Sequence, residues 1–446
     1  MFNWKSDQIP ILQLGPEFYD AVDPAVFKQQ KLRYWNDSIQ LSLAKDRLWD
    51  FKALPENIPK PLALRYHGHQ FQNYNSALGD GRGFLYAQMK QGPQWFDLGT
   101  KGSGQTPYSR SGDGRLTLKG ALREALATEM LHALGVNTSK TLCIYETGEQ
   151  LERNDEPSPT RSAVLTRFTR GHIRIGTFQR LAYFKQIENI KKLTSYCLFF
   201  YYPEAYLQQD PNDENLLATT FLTNVVHANA ELVAQVMMAG FVHGVLNTDN
   251  INISGELFDY GPYRFLPLYD PNFTAAYFDH QGLYSYGRQP ATFLWNLNQL
   301  AGCLELAFPK LKKTEILESF SNEFNRRIHF HFLKKLNLQS AGSDKDQELL
   351  GAFFDMMNSQ KLPFEKTFFD FRSKKILNTR PDQIPQSVRE LVEKYEVANK
   401  TEIKIPTEPC TLLIDEIELI WKQISENDDW SLFQKKLQSI RSYKQN

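Results

Sequence analysis

The chain has 446 residues, enough for two or three packed units with sizeable cores. Hydrophobic residues at 41% and charged residues at 23% are those of an ordinary soluble globular protein, and 51 basic residues cancel 51 acidic ones. That balance argues against a broad nucleic-acid or membrane surface, while leaving room for a local basic pocket.

The first residues, MFNWKSDQIPILQLG, hold no apolar run of the signal-peptide kind and are not Arg- and Ser-rich like a mitochondrial leader. The most apolar stretch, LTSYCLFFYYPEAYL, is interrupted by polar residues and too short to span a bilayer. Cys143, Cys197, Cys303 and Cys410 form no Cys-x-x-Cys pair, so neither a zinc knuckle nor a thioredoxin-type site is expected. Such sparse cysteines suit a reducing compartment, and a cytoplasmic protein is expected.

In chain order, residues 83–89 and 94–100 read as two strands of a hairpin joined by Lys90–Pro93. From Leu116 to Leu134, apolar residues recur at helical spacing through Leu118, Leu122, Ala125, Leu126 and Met130, and Gly135 supplies the stop. TLCIYETGEQL and SAVLTRF read as two further strands, joined by the turn-rich LERNDEPSPTR. Beyond about residue 170 the pattern is mainly helical. Helices are expected in LLATTFLTNVVHANAELVAQVMMAGF, FLWNLNQLAGCLELAF, TEILESFSNEFNRRIHFHFLKKL, TLLIDEIELIWKQI and the amphipathic WSLFQKKLQSI. Loops are expected at 207–215, 338–349 and 377–388, and a linker at 398–409. A β-rich first part with one helix, then a helical remainder, predicts an α+β chain of two lobes.

Several segments carry chemistry-bearing residues. LGDGRG holds Gly79, Gly81 and Arg82; glycines let backbone N–H groups approach phosphate, although so short a cluster is also what a plain tight turn looks like. Lys101 follows a strand, and Asp113 and Gly114 lie in a second flexible loop; a solvated lysine and an ordinary turn are the bland alternative. Glu124 lies among the apolar positions of the next helix, where a buried carboxylate needs a partner. A strand lysine paired to a glutamate on the next helix is how kinases fix an ATP-binding lysine. In LTRFTRGHIRIGTF, Arg167, Arg170 and Arg174 are candidates to converge on polyphosphate, or are merely a solvated basic strand and loop.

HGVLNTDNINISGELFDYGP is the most informative segment. His243 and Asn250 keep the spacing of the kinase His-Arg-Asp-x-x-x-x-Asn pattern, and Asp259-Tyr260-Gly261 resembles Asp-Phe-Gly. The position of the kinase catalytic aspartate is Val245, which accepts no proton. Asp249 is the nearby substitute carboxylate.

These strings, with GPEFYDAVDP, YHGHQFQNYNSALGDGRG, LREALATEML, the segment through LYDPN and GRQPATFLWNLNQLA, occur in one order over most of residues 15–305. In that series the chain resembles the selenoprotein O family. The resemblance implies a protein-kinase-like bilobal fold, with residues 1–170 as an N-terminal extension and β-rich lobe. Residues 171–446 would then form a helical lobe with a C-terminal helical extension. It implies ATP bound in a flipped orientation and AMP transferred to Ser, Thr or Tyr hydroxyls of proteins, with release of pyrophosphate; self-modification is expected as well. By match to the family motif, Lys101 is the phosphate-binding lysine and Glu124 its ion-pair partner. Gly79, Gly81, Arg82, Asp113, Gly114, Arg167 and Arg174 are nucleotide contacts, as is Asp259. Asp249 is the proton acceptor, and Asn250 and Asp259 are the ligands of Mg²⁺ or Mn²⁺. A catalytically inactive ATP-binding scaffold and an ordinary phosphotransferase are the competing functions.

The chain departs from the family pattern in three places. Gln72 stands where YxGHQFG has glycine, and DLGTK precedes the lysine where DLQLK is commoner. No cysteine follows Cys410, whereas family members often end near a selenocysteine or cysteine, so redox control by a C-terminal thiol is not expected. The resemblance is weak beyond about residue 310.

Overall fold

The computed structural model describes residues 2–41, 50–52, 54, 56–154, 156–210, 212–379, 384–399 and 408–443. The expected linker at 398–409 lies mostly outside them.

Twelve strands are described. They are β1 (Tyr19–Ala21), β2 (Lys31–Trp35), β3 (Leu62–Leu64), β4 (Gly68–Gln70), β5 (Asn73–Asn75), β6 (Leu85–Gln91), β7 (Gln94–Lys101), β8 (Leu116–Thr117), β9 (Lys140–Leu151), β10 (Thr160–Thr169), β11 (Phe241–Val242) and β12 (Arg264–Phe265). The main sheet is antiparallel in the order β1-β3-β6-β7-β10-β9-β2, with β8 added against β10. The expected hairpin is β6–β7, closed opposite Gln91 and Gln94, with Gly92 at φ 59° making the turn.

The helices are α1 (Pro10–Leu14), α2 (Leu118–Ala133), α3 (Ile175–Tyr183), α4 (Ile187–Tyr201), α5 (Pro203–Leu207), α6 (Glu214–Met238), α7 (Gln289–Glu305), α8 (Lys313–Leu336), α9 (Ser343–Ser359), α10 (Phe364–Phe371), α11 (Lys375–Thr379), α12 (Gln386–Glu393), α13 (Ile414–Asn427) and α14 (Ser431–Ser442). The region expected as a loop at 338–349 is largely the first turns of α9, whose acidic residues Asp344 and Asp346 suit a helix N-terminus rather than a break.

Period-two alternation in the sheet sorts its residues between two cores. On β10, Val164 and Phe168 join Phe84, Tyr86, Leu98 and Tyr145 on one face. Ala163 and Leu165 face the other way and pack with Leu122, Ala125 and Leu126 of α2. Arg167 shares the α2 side by the same alternation, which brings its charge to the helix that carries Glu124. The second core continues into α3, α4, α6 and α7. A separate cluster around Phe332, Phe353, Met357 and Phe368 unites α8 to α10.

The stretch after α6 is an ordered loop. β11 and β12 close its base, and residues 251–257 are stitched by backbone bonds to two sides. Ile253 N–H donates to Ile173 at 3.0 Å, and Leu257 N–H to Asn137 at 2.9 Å. The loop between them is therefore fixed against both the end of β10 and the entry to β9.

Phe433, Leu437 and Ile440 of α14 are buried, and the helix packs chiefly on α2 and also touches α13. Phe433 meets the Tyr34 ring edge-on, and Arg441 Nε donates to Glu129 of α2 at 2.8 Å. All four cysteines are buried free thiols. Among the described residues no helix is long and apolar enough to cross a membrane.

Candidate active site

A cavity of about 610 Å³ lies where the ends of β7 and β10 meet the loop after α6. Gly79, Gly81, Arg82, Lys101, Asp113, Gly114, Arg167, Arg174, Asp249 and Asp259 all line it. Glu124 stands behind that wall, and Asn250 follows Asp249 on one 3-10 turn (Thr248–Asn250) without lining the cavity.

The innermost charges form a shared cluster. Lys101 Nζ lies 2.7 Å from Glu124 Oε2 and 2.8 Å from Asp259 Oδ1. Arg167 Nη2 lies 2.6 Å from Glu124 Oε1 and 3.3 Å from Asp259 Oδ1. Two cations thus share two carboxylates, which is the condition under which buried charges are tolerated. Burial alone pushes both acids up, but Arg167 and Lys101 outweigh it and hold Glu124 below its ordinary value. At Asp259, burial is overcome by Lys101, Arg167 and Arg174, and the carboxyl sits well below the usual range. Asp259 also adopts φ 63°, a left-handed conformation that costs an aspartate on the order of 1 kcal/mol and persists because its neighbours fix it.

Arg174 forms a second unit. Its guanidinium lies 4.3 Å from the centre of the Tyr66 ring and 4.8 Å from that of Phe258. Nη2 reaches Asp80 at 3.3 Å, and Nη1 donates to the Asp249 carbonyl at 3.2 Å. Arg170 does not join it. β10 ends at Thr169, and Arg170 instead donates through its backbone to Glu256 and through Nη2 to the Tyr201 carbonyl.

Asp249 is handled differently. Burial pushes its carboxyl up to about 6, and Arg174 offsets only part of that. Oδ2 accepts one hydrogen bond from Gln70 at 3.3 Å, and Oδ1 is buried with no partner. An unpartnered buried acceptor beside a cavity leaves hydrogen-bonding capacity that the protein itself does not use.

The mouth is basic and glycine-rich. Arg82 is exposed, and Asp113 pairs with Arg153 at 2.9 Å. Gly79 lies flush on Tyr108, where a Cβ would fall 2.2 Å from the ring. The LGDGRG loop and the 102–115 loop therefore close on each other, tied by Ser109 Oγ donating to the Gly81 carbonyl at 2.5 Å.

The donor set offered to a metal is all oxygen. Asp259 keeps Oδ2 beyond its cation-bound Oδ1, and Asn250 spends its amide nitrogen on the Val245 carbonyl at 2.8 Å, leaving its oxygen. Such hard donors fit a divalent cation of the Mg²⁺ or Mn²⁺ kind. Among the described residues no three His, Cys, Asp or Glu side chains converge as a metal cluster, so the protein by itself offers a partial shell.

The profile of the family described as protein adenylyltransferase SelO matches residues 6–441. A protein nucleotidyltransferase YdiU of Synechocystis is 42% identical over 96% of both chains. Proteins of the same name from Trichormus variabilis and Trichodesmium erythraeum are each 40% identical, over 96% and 97% of this chain and 94% and 97% of theirs. The chain belongs to this family. Its class is that of a protein nucleotidyltransferase, an enzyme, and the match extends past residue 310, where motif resemblance fades.

Two departures from the family pattern have local causes. Gly99 of DLGTK faces His172, and a Cβ there would lie 2.3 Å from Nε2 of an imidazole held by Asp97 at 2.9 Å. Gln72 occupies a left-handed position at φ 62°, where glycine is the unstrained choice. Sequence reasoning singled out neither His172, Tyr66 nor Gln70 as cavity residues. Their only signal is membership of the strings YHGHQF and RGHIR, since a lone side chain in a loop or a three-residue strand has no periodicity to betray it.

Proposed function

We propose that this enzyme transfers AMP from ATP to Ser, Thr or Tyr hydroxyls of proteins, itself included, and releases pyrophosphate. The observation that carries the reading is Asp249: a buried carboxylate with an unpartnered oxygen on the wall of a cation-lined cavity, while the kinase base position is Val245. In this reading the acceptor hydroxyl attacks the α-phosphorus, the bond from that phosphorus to the bridging oxygen of the β-phosphate breaks, and the hydroxyl proton passes to Asp249. Lys101, Arg167 and Arg174 bind polyphosphate oxygens, with Glu124 holding Lys101 in place. Gly79, Gly81, Arg82, Asp113 and Gly114 contact the nucleotide at the mouth. Asn250 and Asp259 would hold Mg²⁺ or Mn²⁺, whose charge, when bound, offsets that developing on the phosphates.

The proposal includes a kinase-like two-lobed arrangement, with residues 1–170 as extension and β-rich lobe and 171–446 as helical lobe and C-terminal extension. The antiparallel sheet before residue 170 and the Lys101–Glu124 pair between β7 and α2 support it. Four unpaired buried thiols support a cytoplasmic setting.

The test is paired transfer from ATP labelled at the α- or the γ-phosphate, with intact-protein mass measurement. Incorporation of α-label and an added adenylyl group are expected. Incorporation of γ-label alone identifies a phosphotransferase, and no incorporation of either with intact ATP binding identifies a scaffold. Asp249→Asn is expected to keep ATP binding by calorimetry and to slow transfer by on the order of 10²–10⁴-fold. Transfer at the wild-type rate would place the base elsewhere.

A further inference from the structure

The hairpin of β4 and β5 stands apart from the main sheet and grips the Asp249 turn residue by residue. His69 N–H donates to Thr248 Oγ1 at 2.7 Å, Gln70 Nε2 to Asp249 Oδ2 at 3.3 Å, and Phe71 N–H to Asn247 Oδ1 at 3.1 Å. Three consecutive donors thus meet three consecutive side chains from a remote part of the chain. The grip is braced from behind. Thr248 Oγ1 donates onward to Gln179 at 2.6 Å, and Tyr284 Oη donates to Asn247 Oδ1 at 2.6 Å. Gly68 lets the hairpin lie against the turn, because a Cβ there would come within 3.1 Å of both Cβ and Oδ1 of Asp249.

The orientation of the Gln70 amide is also determined. Its oxygen accepts from Asn75 Nδ2 at 3.3 Å, so its nitrogen is the end turned to Asp249. Flipping the amide would set oxygen against carboxylate oxygen and nitrogen against nitrogen, losing both bonds. The carboxylate of Asp249 therefore has one oxygen tethered and the other, Oδ1, buried and unpartnered.

We infer that Gln70 is a positioning residue for the transfer reaction: by holding Oδ2 it fixes the rotation of the Asp249 carboxylate that takes up the hydroxyl proton. The inference rests on the reading of Asp249 as proton acceptor. It assigns the hairpin to the acceptor side of the reaction, not to ATP.

The test is a double-variant cycle of Gln70→Leu and Asp249→Asn, read by α-label transfer accumulated long enough to detect on the order of 10⁻⁵ of the wild-type rate. Gln70→Leu is expected to lower kcat about tenfold with KM for ATP unchanged, and to have no further effect in the Asp249→Asn background. Asn75→Ala, which frees the amide to rotate, lowers kcat by less in the same direction; it carries the test if Gln70→Leu does not fold. A wild-type kcat in folded Gln70→Leu overturns the inference, and so does an equal proportional loss in both backgrounds, since Gln70 would then act independently of Asp249. A wild-type rate in Asp249→Asn alone instead removes the assignment of the base, and this inference with it.

Discussion

Asp249 is buried and Asp259 half-buried on the loop after α6, and their carboxyls are driven in opposite directions. The 258–261 segment carries its acid into a nest of cations, with Lys101 at 2.8 Å and Arg167 at 3.3 Å. The 247–250 turn carries its acid against one neutral amide, with Arg174 bonded to the Asp249 carbonyl instead of its carboxylate. Burial penalises the charged form at both places; what differs is how much positive charge answers it. One aspartate is fixed as an anion and suits binding. The other is pushed up to about 6 and suits proton exchange near neutral pH.

The sharpest way to break this comparison is to neutralise the anchored acid. Asp259→Asn leaves Lys101 and Arg167 facing Glu124 alone, which strands positive charge in the interior. Metal-dependent ATP binding is expected to disappear in calorimetric titration, and stability at neutral pH to fall by about 3 kcal/mol in denaturant unfolding. If ATP and metal bind as in the wild type, Asp259 is not the anchor.

The same acids give opposite signs in the pH dependence of ligand-free stability. Asp259 has a folded value below its unfolded one, so its contribution is present above the ordinary carboxylate range and lost as the pH falls through the folded value. Asp249 has a folded value of about 6 against an ordinary 3.8, so the folded chain binds more protons in that window and loses stability as the pH rises through it. Asp249→Asn should therefore become more stable relative to wild type between pH ~4 and ~6, by on the order of 3 kcal/mol at the upper end. A difference that stays flat across this range would show that burial does not control Asp249.

Much of this site was within reach of the sequence, for identifiable reasons. Lys101 ends a strand and Glu124 interrupts an apolar helix stripe, two local patterns that report position, and the charges meet at 2.7 Å. Arg167 and Arg174 were separable from Arg170 only by knowing that β10 ends at Thr169 and that α3 begins at Ile175. The alternation in HIRIGTF mimics a strand, which hides that helix. Short strands β1 to β3 have too few residues to show a period, and they come together only through pairing across long sequence separations. The stripe of α14 announces a partner without saying which; Tyr34, Glu129 and Arg441 decide it. Gln70 and Asp249 are joined by tertiary placement alone.

The smallest effect tests the turn that carries the grip on Asp249. Phe71 at φ 49° and Gln72 at φ 62° link β4 to β5, the pair of left-handed residues that a type I′ turn requires. Gln72 is exposed, so glycine there removes strain without removing packing. Glycine also gives the unfolded chain more freedom, which offsets part of the gain. Gln72→Gly is expected to raise stability by about 0.5 kcal/mol, seen as a higher denaturant midpoint at unchanged slope. Transfer should stay within about twofold of wild type, because the grip uses the main chain of His69 and Phe71 and the side chain of Gln70, none of which changes. A large fall in kcat from so conservative a relief of strain would mean that the turn's left-handed tension, and not the hydrogen bonds of the hairpin, holds the Asp249 turn in place.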